Sequence, residues 1–337
     1  MNIQHITVYD GNLTKIGLIE TWISLVWDEE YGGDGTYQIE IFDSDRAAAL
    51  IREGYFYGIR ESRTLATVQS ITVRGGKIVG YGTMASGMLK DRVTTRRTMD
   101  ENAEDAMRAA VEEMTPHPLI ALGAKKGISD VFTPEIEDMD VLEHCETISK
   151  ETDVGFLLIH DKDAKKLLFE CYKPDENPNA RYAAAYGNLG EIEYSASGAD
   201  YKNVAVIVNT ISETKDEETI ETREIYTAGD TDAQGAARRE MIVKTSIRRE
   251  EEETDEEYRA RIIAKGEAEL VERVRSEELT FKVDDERAQL GDVITASIQE
   301  IGARLHVRVM RVKITSQKNK TTREISIGTP VYLKRRR

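Results

Sequence analysis

Gly32-Gly33-Asp34-Gly35-Thr36-Tyr37-Gln38-Ile39-Glu40-Ile41 decides how the chain begins to fold. Tyr37, Ile39 and Ile41 alternate with Gln38 and Glu40, the period-two pattern of a half-buried strand. The glycines before them supply the positive φ of a tight turn, so the segment predicts a hairpin turn entering a strand. Working outward, Leu18 to Trp27 is rich in Ile and Trp, and Ile71 to Tyr81 is broken by Gly75 and Gly76, which predicts a second hairpin. Several short strands with glycine turns make residues 1–94 a first small β-barrel or sandwich.

From 95 to 185 the texture changes to an α/β domain. Thr98 and Glu101 have capping-box spacing, and Ala103, Ala106, Met107, Ala110, Val111 and Met114 recur every three or four residues until Thr115-Pro116 stops the helix. A second helix is predicted over Met139 to Lys150, with Leu142, Cys145 and Ile148 on one stripe. Phe156 to Ile159 and Leu167 to Tyr172 read as strands joined by the polar turn Asp161 to Lys166.

Residues 186–337 read as a second β-barrel domain with one inserted helix. Val204 to Val208 and Ile220 to Tyr226 suit a long hairpin across the charged loop Glu213 to Glu218. Thr254 with Glu257 is another capping box, opening a helix over 254–276 that is expected to pack Ile262 and Leu270 on the last barrel. Seven acids in the eight residues Glu250 to Glu257 suit a solvated connection. Leu305, Val307 and Val309 fix one strand face and Met310, Val312 and Ile314 the other. A bulge or corner near Met310 and Arg311 is therefore expected. The fold class is α+β, mainly β: two small barrels with an intervening α/β domain.

A chain of 337 residues with 46 basic and 62 acidic side chains carries −16, the wrong sign for gripping nucleic acid or anionic lipid. Residues 303–337 alone carry +10, which leaves −26 on the remainder. The basic end, Lys334 to Arg337, suits a nucleic-acid arm, a solubilising tail or a docking patch, and the scarcity of interleaved aromatics argues against the first. Two cysteines, Cys145 and Cys171, make neither a disulfide scaffold nor a thiolate zinc site and are read as reduced core residues. The start of the chain shows no signal segment, and no apolar run approaches the roughly 18 residues of a membrane helix, so membrane insertion is not expected.

Motifs that carry chemistry are nearly absent from the sequence. His160, Asp161 and Asp163 offer metal-type donors, but they lie where a strand must turn and aspartate favours turns. His144-Cys145 could suggest a thiol nucleophile, yet Cys145 sits on an apolar helix stripe. The glycines at 75, 76, 80 and 82 lie between strands, where a dinucleotide loop needs a helix opening on the phosphate. No Walker loop or nucleophile elbow occurs. No catalytic, cofactor-binding or metal-binding residues are expected.

Several segments in order resemble the hub, or tail-associated, proteins of long-tailed siphoviruses, whose fold is similar to the central baseplate hub of contractile phages. The resemblance rests on Glu30-Tyr31 before Gly35-Thr36-Tyr37, and on Gly80 and Gly82 leading to Met88-Leu89-Lys90-Asp91-Arg92. It continues through Val154-Gly155-Phe156 to His160-Asp161, the strand ending Phe169-Glu170-Cys171-Tyr172, and Gly187-Asn188-Leu189 before Tyr201-Lys202-Asn203-Val204. Leu290-Gly291-Asp292-Val293 and Ile325-Ser326-Ile327-Gly328 close it. The family-signature structural positions are Tyr31, Gly35, Leu89, Arg92, Gly155, Asp161, Asn188, Leu189, Asn203, Gly291, Asp292 and Gly328. Lys173-Pro174-Asp175-Glu176-Asn177-Pro178 departs from the family's turn after the middle domain.

The resemblance implies a homotrimeric ring continuing the tail tube, in the virion tail tip after assembly in the bacterial cytoplasm. The implied partners are the distal tail protein, the tape-measure protein C-terminus and receptor-binding or spike proteins, with no cofactor and no catalysis in this portion. Three copies would carry −48, so stable DNA binding is not expected of a conduit for the genome. The alternative class is a glycan- or peptidoglycan-active tail enzyme.

Overall fold

The computed structural model describes all residues except 1, 2, 189, 191, 216, 217, 251, 252, 272, 274, 275, 284, 285, 299–302, 318, 319 and 329–337. The chain divides into unit 1, residues 1–194 and 278–337, and unit 2, residues 195–277.

Thr36–Phe42 forms the strand its alternation predicts, with Tyr37, Ile39 and Ile41 buried. It pairs with Ser24–Glu30, where Trp27 stands directly opposite Tyr37 with the rings edge-on at 5.6 Å. Gly35 has φ +62°, and a Cβ there would collide with the Asp28 carbonyl, so the turn needs glycine. The second hairpin is Ser70–Arg74 and Lys77–Thr83, turning on Gly75 and Gly76 at φ +61° and +72°.

These hairpins continue into the far end of the chain. The largest sheet has eight strands in the order Ile192–Ser197, Ser276–Val283, Lys320–Gly328, Arg311–Gln317, Ser24–Glu30, Thr36–Phe42, Lys77–Thr83, Ser70–Arg74. Arg311–Gln317 pairs antiparallel with Ser24–Glu30, placing Ile314 beside Trp27. One core therefore takes Trp27, Tyr37 and Ile39 from the first strands and Ile314, Ile325 and Ile327 from the last. A four-stranded sheet of Lys15–Ile19, Ile6–Tyr9, Phe56–Gly58 and Ala66–Thr67 lines the same unit. A short helix, α1 (Asp45–Leu50), capped by the Ser44 side chain on the Ala47 N–H, interrupts a region expected to hold strands only.

The middle segment carries α2 (Ala103–Glu113) and α3 (Val141–Thr152) on a sheet of Ile120–Leu122, Lys166–Tyr172 and Gly155–Asp161. Met107, Cys145, Phe156, Phe169 and Cys171 share its core. The capping expectation at Thr98 and Glu101 is corrected: α2 starts one turn later, capped by Asn102 Oδ1 on the Asp105 N–H at 3.0 Å. Thr98 is buried and its hydroxyl lies 3.0 Å from His144 Nε2, while Glu101 takes a two-pronged bond from Arg96 at 2.7 and 2.8 Å.

The phase change near Met310 is a change of sheet. Ala303–Arg308 pairs with Val293–Ile298, which runs parallel to Glu176–Ala183, and after Val309 and Met310 the chain enters the eight-stranded sheet at Arg311. Val307 and Val312 still face one core from the two sheets.

Unit 2 is built on the long hairpin Val204–Lys215 and Glu218–Gly229, in register from Val204 opposite Gly229 to Lys215 opposite Glu218. Glu240–Thr245 runs parallel on the other side of Val204–Lys215. α4 (Asp255–Val271) opens on the predicted box: the Thr254 hydroxyl accepts from the Glu257 N–H at 3.3 Å and Glu257 Oε2 accepts from the Thr254 N–H at 2.9 Å. Ile262 and Leu270 pack, as expected, on strands of the region 186–337, where Tyr258 and Ile262 cover Ala205, Ile207, Ala228 and Val243, but those strands form an open three-stranded sheet rather than a barrel. The helix also ends at Val271, short of Ser276.

The protein is thus α+β and mainly β, with several separate sheets. Among the described residues the strand orders run open from edge to edge, with no pairing that closes either β region into a barrel.

Candidate assembly site: a buried junction around Arg308

The last residue of Ala303–Arg308 turns its guanidinium into the protein, 3% exposed. Arg308 Nε donates to Asp153 Oδ1 at 2.8 Å and Nη2 to Oδ2 at 2.7 Å, a fork-on-carboxylate pair. Its Nη1 donates to the carbonyls of Pro174, at 2.9 Å, and Gly291. A buried charge survives only with such partners. Asp153 is held for this role by the end of α3: it is the C-cap, left-handed at φ +59°, with its N–H on the Ser149 carbonyl.

Tyr31 is the second member. It follows the strand Ser24–Glu30 and is fixed by its N–H on the Met310 carbonyl at 2.8 Å. Its hydroxyl accepts from the Gly155 N–H at 2.9 Å and lies 3.1 and 3.0 Å from the carbonyls of Asp153 and Tyr172. The Arg308 guanidinium carbon stands 5.1 Å from the ring centroid, within cation–π range. A Cβ on Gly155 or on Gly291 would enter that ring, so both positions are small because the tyrosine fills the space.

Three expected signature positions, Tyr31, Gly155 and Gly291, therefore meet although 260 residues separate the first from the last. Asp292, next in line, accepts from the Gln289 N–H at 2.9 Å and from Asn177 Nδ2 at 2.6 Å, tying down the divergent segment 173–178. Asp153 and Arg308, which carry the charge, escaped the sequence reading. Arg308 reads as the outward member of an alternating strand, and its one signal is an arginine flanked by Val307 and Val309.

The other positions lie elsewhere. Leu89 is buried in the core of the middle segment, and Arg92 donates to the Thr115 carbonyl at 3.2 Å. Asp161 Oδ1 accepts from the N–H groups of Asp163 and Ala164 at 3.0 and 2.9 Å, the turn chemistry expected of it. Asn188 bridges the Ala183 N–H and the Arg181 carbonyl, and Asn203 does the same for Arg239 and Ala237 in unit 2. Gly35 sits in the first turn and Gly328 ends the strand Lys320–Gly328. Leu189 and Lys334 to Arg337 lie outside the described residues.

Beside the junction is a cavity of about 260 Å³ that Glu29, Glu61, Tyr172 and Arg323 help to line. Burial raises the Glu29 carboxyl above its ordinary range, while hydrogen bonds from Ser62 and Trp27 pull it down. Glu61 Oε2 and the Tyr172 hydroxyl are buried with no hydrogen-bond partner among the described residues. Among those residues no three His, Cys, Asp or Glu side chains gather as metal ligands, and no helix is long and apolar enough to cross a membrane. Both cysteines are buried free thiols, with burial raising Cys145 and pushing Cys171 up to about 12, far from nucleophile territory.

No curated protein matches the sequence. The prophage MuSo2 43 kDa tail protein from Shewanella oneidensis is similar in structure at a TM-score of 0.57 and 11% identity, over 96% of this chain and 98% of that one. The tail protein from Neisseria meningitidis MC58 gives 0.59 and 11% over 96% of each chain. Prophage tail protein gp18 from Listeria monocytogenes EGD-e gives 0.53 and 10%, over 97% of this chain and 94% of that one. The fold is that of prophage tail proteins, as the resemblance in the sequence implied. The sequence pattern of one family covers residues 5–329, and the chain belongs to it: the Siphovirus ReqiPepy6 Gp37-like proteins.

Proposed function

We propose that the protein is a structural tail-tip hub, three copies of which close a ring that ends or extends the tail tube of a phage or prophage. The observation that carries this is family membership over residues 5–329 together with a fold shared end to end with prophage tail proteins. In this reading the β regions 1–94 and 186–337 serve as the barrel-related hub domains and 95–185 as the α/β domain. The ring anchors the distal tail protein, the tape-measure C-terminus and the receptor-binding or spike proteins, and it resides in the virion. A wall made of strands from both ends of the chain, pinned by Arg308, suits a part that must hold its shape as DNA passes.

Light scattering after size exclusion should give about three chains of 38.0 kDa, and negative-stain images should show a threefold ring. A monomer that persists at high concentration, with no ring, overturns the reading. Clearing of peptidoglycan in a zymogram, abolished by substituting one carboxylate, would replace it with the glycan-active enzyme. Duplex DNA should bind weakly and be lost at physiological salt, since binding tighter than roughly micromolar there exceeds the usual non-specific range.

A further inference from the structure

Unit 2 covers one face of its sheet with α4 and leaves the other face bare. Side chains alternate along a strand, so Ala205, Ile207 and Asn209 lie under the helix while Val206 and Val208 point the opposite way. The register sets Val208 beside Ile225 and Val206 beside Ile242, an apolar stripe across all three strands. Ile225 is 61% exposed and Ile242 67%. Arg223, opposite Thr210, and Lys244, opposite Val208, stand on this face, both exposed and in no ion pair among the described residues. A shallow depression runs between these two cations and over Val208. Two acids share the face: Glu221, which lines the same depression two residues from Arg223, and Glu240, which is already paired with Arg238 at 2.6 Å.

We infer that this face docks an acidic protein surface that presents an apolar side chain to the stripe. Two unpaired cations flanking exposed isoleucines have the opposite sign to a chain of −16, so a complementary partner is negative and gains both the ion pairs and the apolar burial. A duplex would find an apolar stripe, two cations and the Glu221 carboxylate beside them, too little positive charge for a phosphate track. The surface belongs to unit 2 alone and stands whether or not the hub reading does.

The test uses the full chain and two labelled 12-residue peptides, one alternating Val and Glu, the other Val and Lys, read by fluorescence anisotropy. The Glu peptide should bind at least tenfold more tightly than the Lys peptide and weaken as salt rises. Binding should fall at least tenfold in Ile242→Ser and again in Arg223→Glu/Lys244→Glu, with circular dichroism and melting temperature unchanged. No binding, equal binding of the two peptides, or variants that bind like the parent each overturn the proposal. So does displacement by a 20-base-pair duplex, which would assign the face to nucleic acid. A change in sedimentation of the chain alone on Ile242→Ser would assign it to a second copy and also overturn it.

Discussion

Each unit buries a polar cluster, and the two are built differently. In unit 2, Asn209 Nδ2 donates to the Tyr258 hydroxyl at 2.8 Å and the Ile247 carbonyl at 3.0 Å, while its Oδ1 accepts from the Ile247 N–H at 2.8 Å. Those partners lie 38 and 49 residues along the chain, and among the described residues the groups bonded there are neutral apart from Glu224, which holds the Tyr258 hydroxyl at 2.9 Å. In unit 1 the bond from Arg308 to Asp153 spans 155 residues and those of Tyr31 span 122 and 141. The charge is real and the loop closure long. Unit 2 can thus organise from neighbouring segments, whereas unit 1 is complete only when the beginning, middle and end of the chain have met.

The largest effect should come from the charged junction. Arg308→Ala leaves the Asp153 carboxylate buried without its partner and should cost about 3–5 kcal/mol in urea unfolding of unit 1. Asp153→Asn keeps the left-handed C-cap that asparagine tolerates, and Arg308→Met/Asp153→Asn should cost less than the two single changes summed, because the stranded charge is gone. A loss under about 1 kcal/mol for Arg308→Ala would make the two clusters equivalent and end the contrast.

A second buried group in unit 1 responds to pH. His144 is buried on α3, with Nε2 near the Thr98 hydroxyl and, among the described residues, no partner for Nδ1. Burial, and secondarily the Arg96 charge, pushes its pKa down to about 4, against a pull upward from Glu101. The unfolded chain takes up this proton near pH 6.5 and the folded protein only near 4, so the contribution is present above 6.5 and is lost as pH falls between those values. Up to about 3 kcal/mol is at stake. Glu29, Asp34 and Glu146 are raised by burial and act in the opposite sense, gaining protons in the folded state first. His144→Gln should therefore flatten the parent's decline between pH 6.5 and 4 in chemical denaturation; an unchanged slope would remove the histidine from the account.

Why some of this was legible in the sequence follows from the same residues. Tyr37, Ile39 and Ile41 announced their strand because one face is core and the other solvent, the condition under which period two survives. The Thr254 box is legible because, among the described residues, that hydroxyl bonds only Glu257, while the Thr98 spacing misleads because Thr98 is spent on a buried histidine that spacing cannot reveal. Tyr31, Gly155 and Gly291 stood out singly, but the reason for all three, one ring occupying the space of two side chains, exists only in three dimensions. Arg308 and Asp153 give no periodic signal, since an arginine in an alternating strand looks the same whether it meets water or a carboxylate.

Gly155→Ala tests that shared space. The added methyl meets the rigid ring of Tyr31, which is held by its hydroxyl bonds and cannot turn aside, so about 1–3 kcal/mol should be lost from overpacking alone. Combining it with Tyr31→Leu should recover part of that loss; full additivity in thermal melts would place the strain elsewhere.

The smallest effect belongs to unit 2, where the same substitution type meets a softer neighbour. Gly266 is buried in the interior of α4, and helix propensity alone favours alanine there by about 1 kcal/mol. Its new Cβ would meet the side-chain end of Ile207, with Ala228 Cβ at 3.2 Å. An isoleucine tip can shift where a bonded tyrosine cannot, but Ile207 is itself fully buried, so propensity and crowding nearly cancel and Gly266→Ala should change stability by no more than about 1 kcal/mol. Ile207→Ala removes both atoms in the way, Cδ1 and Cγ1, and on that background the propensity gain should emerge, making Ile207→Ala/Gly266→Ala more stable than Ile207→Ala alone. If alanine costs as much here as at Gly155, side-chain mobility does not separate the two sites, and the difference between a stitched unit and a locally built one must lie in the charges alone.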